Sequence, residues 1–522
     1  MAAALVPPTV EAQEPTPLSG LELPVREVVL DNGMRFLLLP RPGAPTVAFV
    51  VEYAVGGVNE VPGTTGIAHL LEHMLFKGST TIGTTDVEAE RAWFERMDAA
   101  HDSVRAELAA LAPDSVRLAR LRTRIAEFED SARVHVIPNE FDRILSRNGA
   151  RGLNATTSSE ATTYFVELPA NRTELWFALE SDRMRSPVFR EFHTERDVVV
   201  EERRMRVDTS PGGLLYETHL AAAFAIHPYG QPVVGTMADL EAASRDEVAR
   251  YYRRYYGPRN ATVAIVGDID PDQLAGWAES YFGDIAPGER PPPITTREPE
   301  QRGRREVRVE FDANPAVRFG WKVPSVLDDD APALAVLASL LTGGRASRLY
   351  RRIVERDRLA TGVAASAGPG DLFPRLFMVE ATPRDPHTPQ EIEAAIVEEL
   401  AALAAEPPSE AEVDRVRVQI EAGRVRRLRS NLGLAFQLAS SASSLGEWRT
   451  TFELAERMTE VRPTDVQRVV QRYFQDRYLT VATLVRPEAG GDPDPDVDAE
   501  AEPETAASTG AAGERRPGGA LR

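Results

Sequence analysis

The chain has 522 residues, 43% of them hydrophobic, and a formal net charge of −20. That length exceeds one ordinary core and predicts several domains, while the charge repels nucleic acid and anionic membrane as partners. Zero cysteine excludes disulfides, thiol catalysis and thiolate ligands, so a metal here must be held by His and carboxylate.

Residues 1–24 read as a separate N-terminal segment. Ala2–Val6 followed by Val10-Glu11-Ala12 looks like the end of a signal peptide, which tips the expectation from cytoplasmic towards exported or periplasmic. The alternative is a floppy terminus. No apolar run reaches the length of a membrane span; Ala331–Leu341 comes nearest and is too short. Met34–Pro40, Thr46–Tyr53 and Thr162–Leu168 carry strand signals, without the regular alternation of a doubly wound fold. They predict α+β with antiparallel sheets.

Between the second and third of these runs lies His69-Leu70-Leu71-Glu72-His73. Two histidines four apart on a helix project from one face, so both imidazoles can hold one ion. Glu72 sits on nearly the same face, where its carboxylate reaches a water on that ion. This is the inverted zinc-protease pattern H-x-x-E-H. The plain alternative is two surface histidines with an incidental acid.

Asp86–Pro138 is charged and heptad-like, broken at Ala112-Pro113-Asp114, and predicts a helical hairpin. Further on, Thr194–Met205 reads as a helix that Thr194 can cap. Glu195 and Glu202 share one of its faces, with Glu201 about 100° away. They are candidates for a third metal ligand, and equally for a salt-bridged surface with Arg203 and Arg206.

An internal duplication organises the rest. Tyr255/Tyr473, Arg259/Arg477, Thr262/Thr480, Val263/Val481 and Ala264/Ala482 match at one offset of 218. Phe76-Lys77-Gly78-Ser79 corresponds to Leu341-Thr342-Gly343-Gly344 at an offset of 265, which sets His69, Glu72 and His73 against Leu334, Leu337 and Ala338. Only the first half can therefore hold the metal. The offsets differ by 47, so the first half carries an insertion of about that size, with 86–138 as the candidate. Expected boundaries are 25–285 for the zinc-bearing domain, 286–305 for a Pro-rich linker and 306–486 for the zinc-free domain. Residues 487–522 form an acidic tail too polar to fold.

H-x-x-E-H, then Gly152–Ser158 (GLNATTS), then E-R-D-V-V-V-E-E-R-R-M, then His227–Thr236 (HPYGQPVVGT), resembles the M16, or pitrilysin-type, metallopeptidases over roughly Val25 to Arg486. The resemblance implies a bacterial two-domain member with the LuxS/MPP-like metallohydrolase fold and one zinc ion per chain. It implies His69, His73 and Glu202 as ligands, Glu72 as the base and Glu195 as a second acid supporting catalysis without binding metal. Glu202 stands 129 residues beyond His73. That exceeds the family's usual spacing by about the insertion inferred from the repeat. Asn154, Ala155 and Thr156 resemble the family's substrate-binding edge strand, where an extended peptide adds through its main chain. The implied activity is zinc endopeptidase. A scaffold, or a peptide-binding subunit of the same fold, is the rival. His227 reads as structural.

One departure bears on partners. The family's zinc-free half carries an Arg and, seven residues on, a Tyr that hold substrate. Here Val354 and Thr361 occupy those positions, and Arg352 and Arg356 are out of register. The resemblance then implies pairing with a zinc-less sister chain that supplies the missing pair, or a homodimer as the alternative.

Overall fold

The computed structural model describes residues 23–487. Most of the expected leader segment and of the acidic tail lies outside the described residues. A first sheet takes the order β1-β2-β6-β3-β5-β4. Its strands are β1 (Arg26–Val29), β2 (Arg35–Pro40), β3 (Thr46–Tyr53), β4 (Arg151–Thr157), β5 (Thr162–Pro169) and β6 (Ala261–Gly267). A second takes the order β7-β11-β8-β10-β9. It comprises β7 (Arg305–Glu310), β8 (Ala316–Val323), β9 (Ala360–Gly368), β10 (Arg375–Pro383) and β11 (Leu479–Val485). Apart from the extra edge strand β1, the two sheets correspond strand for strand. The α+β expectation and the duplication agree with this architecture.

The sheets are antiparallel except for one pair each, β2 with β6 and β7 with β11. Topology forces the exception. The late strand inserts between two antiparallel neighbours, β2 and β3 or β7 and β8, and must run parallel to one of them.

The apolar runs in the central strands reflect cover on both faces. All of Ala261–Gly267 is buried. On one face of the first sheet, Phe36, Phe49 and Ile265 pack with Trp176, Phe177 and Phe282 from its own helices. On the other, Leu37, Leu39 and Val50 meet Leu434, Leu438 and Ala439. Those last three lie on the helix Asn431–Ser444, which follows the second sheet's strands β7–β10 in the chain. Reciprocally, the helix Pro211–Ala223 lies against the second sheet, with Leu215 packed on Val309, Ala482 and Leu484. Each sheet is thus closed by a helix from the other half. Glu52, on the first sheet's back face, accepts hydrogen bonds from Thr163 (3.1 Å) and Ser440 (2.7 Å).

Helices Val87–Leu108 and Ser115–Arg133 form a hairpin closed by Trp93 against Phe128 and by Phe94, Met97 and Ala132. Among the described residues, no helix is long and apolar enough to cross a membrane.

Because Leu438 is fully buried against the other half's sheet, Leu438→Ala should cost about 2–5 kcal/mol through lost contact and the residual cavity. Urea unfolding checks this, and the loss should register in the first half as well as the second.

Candidate metal centre

The helix α1, Ile67–Met74, begins at Gly66, whose φ of 87° is left-handed. A side chain there would also meet the carbonyl of Val234 at 2.7 Å and the Cα of Gly235 at 2.8 Å. Glycine is required on both counts. Free N–H groups at this helix start are met by buried Glu60, which accepts from Gly66 (2.8 Å) and Ala68 (2.7 Å). Leu70, Leu71 and Met74 point into the first core, and the opposite face carries His69, Glu72 and His73.

The third acid comes from the helix Phe192–Arg203. This helix does not start at Thr194 as the capping pattern suggested. It starts two residues earlier, after Glu191 in a left-handed conformation (φ 55°), leaving Thr194 inside the first turn. Tertiary contacts outweigh the local cap. Arg190 is buried and donates to the carbonyls of Ser79 (2.7 Å), Ile82 (3.0 Å) and Lys77. It also pairs with buried Glu90 of the hairpin (3.2 Å). Glu191 itself meets Lys77 at 3.3 Å. The chain after α1 is thereby tied to the start of the second helix.

The consequence is convergence. Glu202 Oε2 lies 3.7 Å from His69 Nε2 and 3.4 Å from His73 Nε2. Tetrahedral ligands about 2.1 Å from a zinc ion stand roughly 3.4 Å apart, so the spacing and the donor set fit that ion. The three ligand atoms lie within 4.8 Å of one another, and no second group of this kind occurs among the described residues. Burial, with His73 and Arg206 nearby, pulls His69 down to about 3 and keeps it neutral, the form that binds metal. The other Glu202 oxygen, Oε1, pairs with Arg206 at 2.6 Å. Of the two arginines expected to bridge this helix face, Arg206 therefore does so. Arg203 instead pairs with Glu217 and Asp208.

Glu195 meets His73 Nδ1 at 3.3 Å and is also bridged by Lys77. A carboxylate behind a ligating imidazole fixes the ring's orientation and tautomer. Burial works against charge on His73, but its bond to Glu195 and the nearby carboxylates outweigh burial and raise it above the ordinary range. Glu72 lies alongside. Burial pushes its carboxyl up, opposed by the Thr157 hydroxyl donating to Oε2 at 2.5 Å.

Asn154, Ala155 and Thr156 lie on β4, the outer strand of the first sheet, pairing with Phe165, Tyr164 and Thr163 of β5. The other long edge of β4 has no neighbouring strand among the described residues. Three contributors escaped the sequence reading. Thr157 directly follows the edge-strand motif, Lys77 is four residues after His73, and Glu60 precedes the helix it caps. None of them carried a sequence sign of its partner, because each contact is set by tertiary packing.

In the second half, the helix Ala331–Thr342 turns Leu334 and Leu337 into the second core. Thr361 is exposed on β9, while Arg352 is held by Glu398 and Glu399 and Arg356 by Asp357. His227 is buried against Tyr229 and Phe373, with Nδ1 accepting from the Tyr229 amide at 3.2 Å.

Two family models match the chain. Insulinase (Peptidase family M16) matches residues 35–101 and 128–237, and Peptidase M16 inactive domain matches 242–420. The zinc protease PqqE of Helicobacter pylori is 27% identical over 476 residues, covering 88% of this chain and 93% of that protein. A crystal structure of a protease from Helicobacter pylori has a TM-score of 0.74 at 26% identity, covering 89% of this chain and 100% of its own. The periplasmic protease PqqL from Escherichia coli shares the fold, with a TM-score of 0.65 at 18% identity. The match covers 88% of this chain and 47% of that one.

Glu195→Gln should weaken zinc binding by about tenfold to a hundredfold, because the supporting carboxylate loses its charge. Competition with a chromogenic chelator measures this directly.

Proposed function

Since the chain belongs to the M16 peptidase family, we propose that it is a zinc-dependent endopeptidase acting on peptides or unstructured protein segments. The observation that carries this reading is the meeting of His69, His73 and Glu202 from two separate helices, with Glu72 beside them. His69, His73 and Glu202 would hold one zinc ion. Bound zinc lowers the pKa of water to about 7 and polarises a carbonyl. Glu72 takes a proton from the attacking water and returns it to the leaving amine. Thr157 engages Glu72 Oε2 and leaves Oε1 for that transfer. Glu195 holds His73 in place from its Nδ1 side.

The substrate lies extended along β4, bonded to the main chain of Asn154, Ala155 and Thr156. Such binding reads backbone and requires an unfolded segment. On this assignment residues 25–285 form the zinc-bearing domain, with 86–138 inserted, and 306–486 the zinc-free domain after the linker 286–305.

Val354 and Thr361 replace the substrate-holding pair, and Arg352 and Arg356 are held by local acids. We therefore infer a hetero-oligomer in which a zinc-less sister chain supplies that pair. The match to about half of a longer protease chain is in keeping with a chain that works beside a second such unit.

Glu72→Gln should retain zinc and lower peptide hydrolysis by about 10²–10⁴-fold. Metal analysis and a quenched-fluorescence peptide assay measure the two together, and unchanged cleavage would sink the mechanism. Adding a co-purified sister chain should raise activity well above that of the homogeneous protein. Equal activity with and without it would reject the partnership.

A further inference from the structure

A cavity of about 310 Å³ opens beside the metal centre. It touches the centre through two of its walls. Ser158 directly follows Thr157, the Glu72 partner, and Arg206 is bonded to Glu202. An extended peptide running off the end of β4 past Glu72 would reach the cavity with its next side chains.

The lining defines what fits. Val207, Tyr216, Leu220, Val233 and Pro369 present apolar surface. Two charged groups are present, and both are engaged. Arg206 pairs with Glu202, and Glu217 makes two bonds to Arg203, at 2.9 and 3.0 Å. An incoming charged side chain would lose water and meet only charges already paired. A leucine-sized or aromatic side chain would occupy part of this space and bury its surface against that apolar wall.

The second half builds part of this wall. Pro369 lies between β9 and β10, and its loop is anchored to the β4–β5 turn by Glu160. That carboxylate accepts from the amides of Asp371 (2.8 Å) and Leu372 (2.9 Å) and from the Tyr229 hydroxyl. Tyr216 is faced by Arg318 of the second sheet at 5.1 Å. The floor comes from a tight crossing in the first half. A side chain on Gly213 would lie 1.9 Å from the Arg206 carbonyl.

We propose that this cavity is a specificity pocket for one large apolar side chain of the substrate, with Val233, Tyr216 and Pro369 setting the preference. The proposal rests on the endopeptidase reading for its occupant, and its test is kept separate from turnover.

Glu72→Gln protein is titrated with labelled peptides that vary one position at a time among Phe, Leu, Ala, Lys and Asp. Fluorescence anisotropy reads the affinity, and the unmodified enzyme is assayed for cleavage of the same set. At one position, Phe or Leu should bind about tenfold or more tighter than Ala or Asp. Val233→Asp in the same background should shift that position towards Lys, and Val233→Phe should shift it towards Ala. Equal affinity at every position, or a preference untouched by both substitutions, overturns the pocket. Selective binding with no cleavage by the unmodified enzyme would instead sink the endopeptidase reading and leave the pocket standing.

Discussion

The meeting of His69, His73 and Glu202 depends on holding two helices together that are separated by more than a hundred residues of chain. Buried charge at the two helix starts does this. Glu60 satisfies the first amides of α1, and Arg190 gathers three carbonyls of the segment after α1 just before the second helix begins. The Arg190–Glu90 pair is almost wholly buried, at 1% and 0% exposure. Breaking such a pair by removing one member costs about 3–5 kcal/mol, because the survivor is left charged and alone. That penalty opposes any sliding of one helix past the other. The hairpin is therefore more than an appendage, since Glu90 belongs to its first helix.

The duplication shows what a polar face costs the fold. In the second half the helix equivalent to α1 buries Leu334 and Leu337. In the first half the matching positions carry His69 and Glu72, which contribute no comparable apolar burial. Stability there comes from Ile67, Leu70, Leu71 and Met74 on the other side of the helix and from the exchanged helix behind the sheet. The same exchange joins the halves. Losing contact between them would uncover both sheets, so neither half is independent of its neighbour in packing.

Much of this was legible in the residues. Period-two and all-apolar runs marked β2, β3 and β5, because sheets covered on both faces leave a continuous apolar signature. The i,i+4 histidines and the shared face of Glu195 and Glu202 follow from helical geometry alone. What escaped was set by distant parts of the chain. The Thr194 cap failed because Arg190 and Glu191 have partners in the segment after α1. Glu60 carries no sequence sign of its target, since its acceptance of the Gly66 and Ala68 amides requires the intervening turn. The parallel pairing of β2 with β6 is likewise invisible until one knows that β6 inserts beside it.

A strand edge alone recognises only a main chain, so discrimination among peptides has to come from where side chains fall. Along β4 the exposed positions offer little apolar surface. The enclosed space begins where β4 ends, and there the second half contributes Pro369 and, through Arg318, steadies Tyr216. The two halves have diverged in complementary directions. One keeps a polar helix face with side chains of metal-ligand type, and the other keeps an apolar core and lends a wall. Because Glu160 joins the two loops through main-chain amides, the wall contributed by one half is tied directly to the β4–β5 turn that leads away from Thr157 in the other.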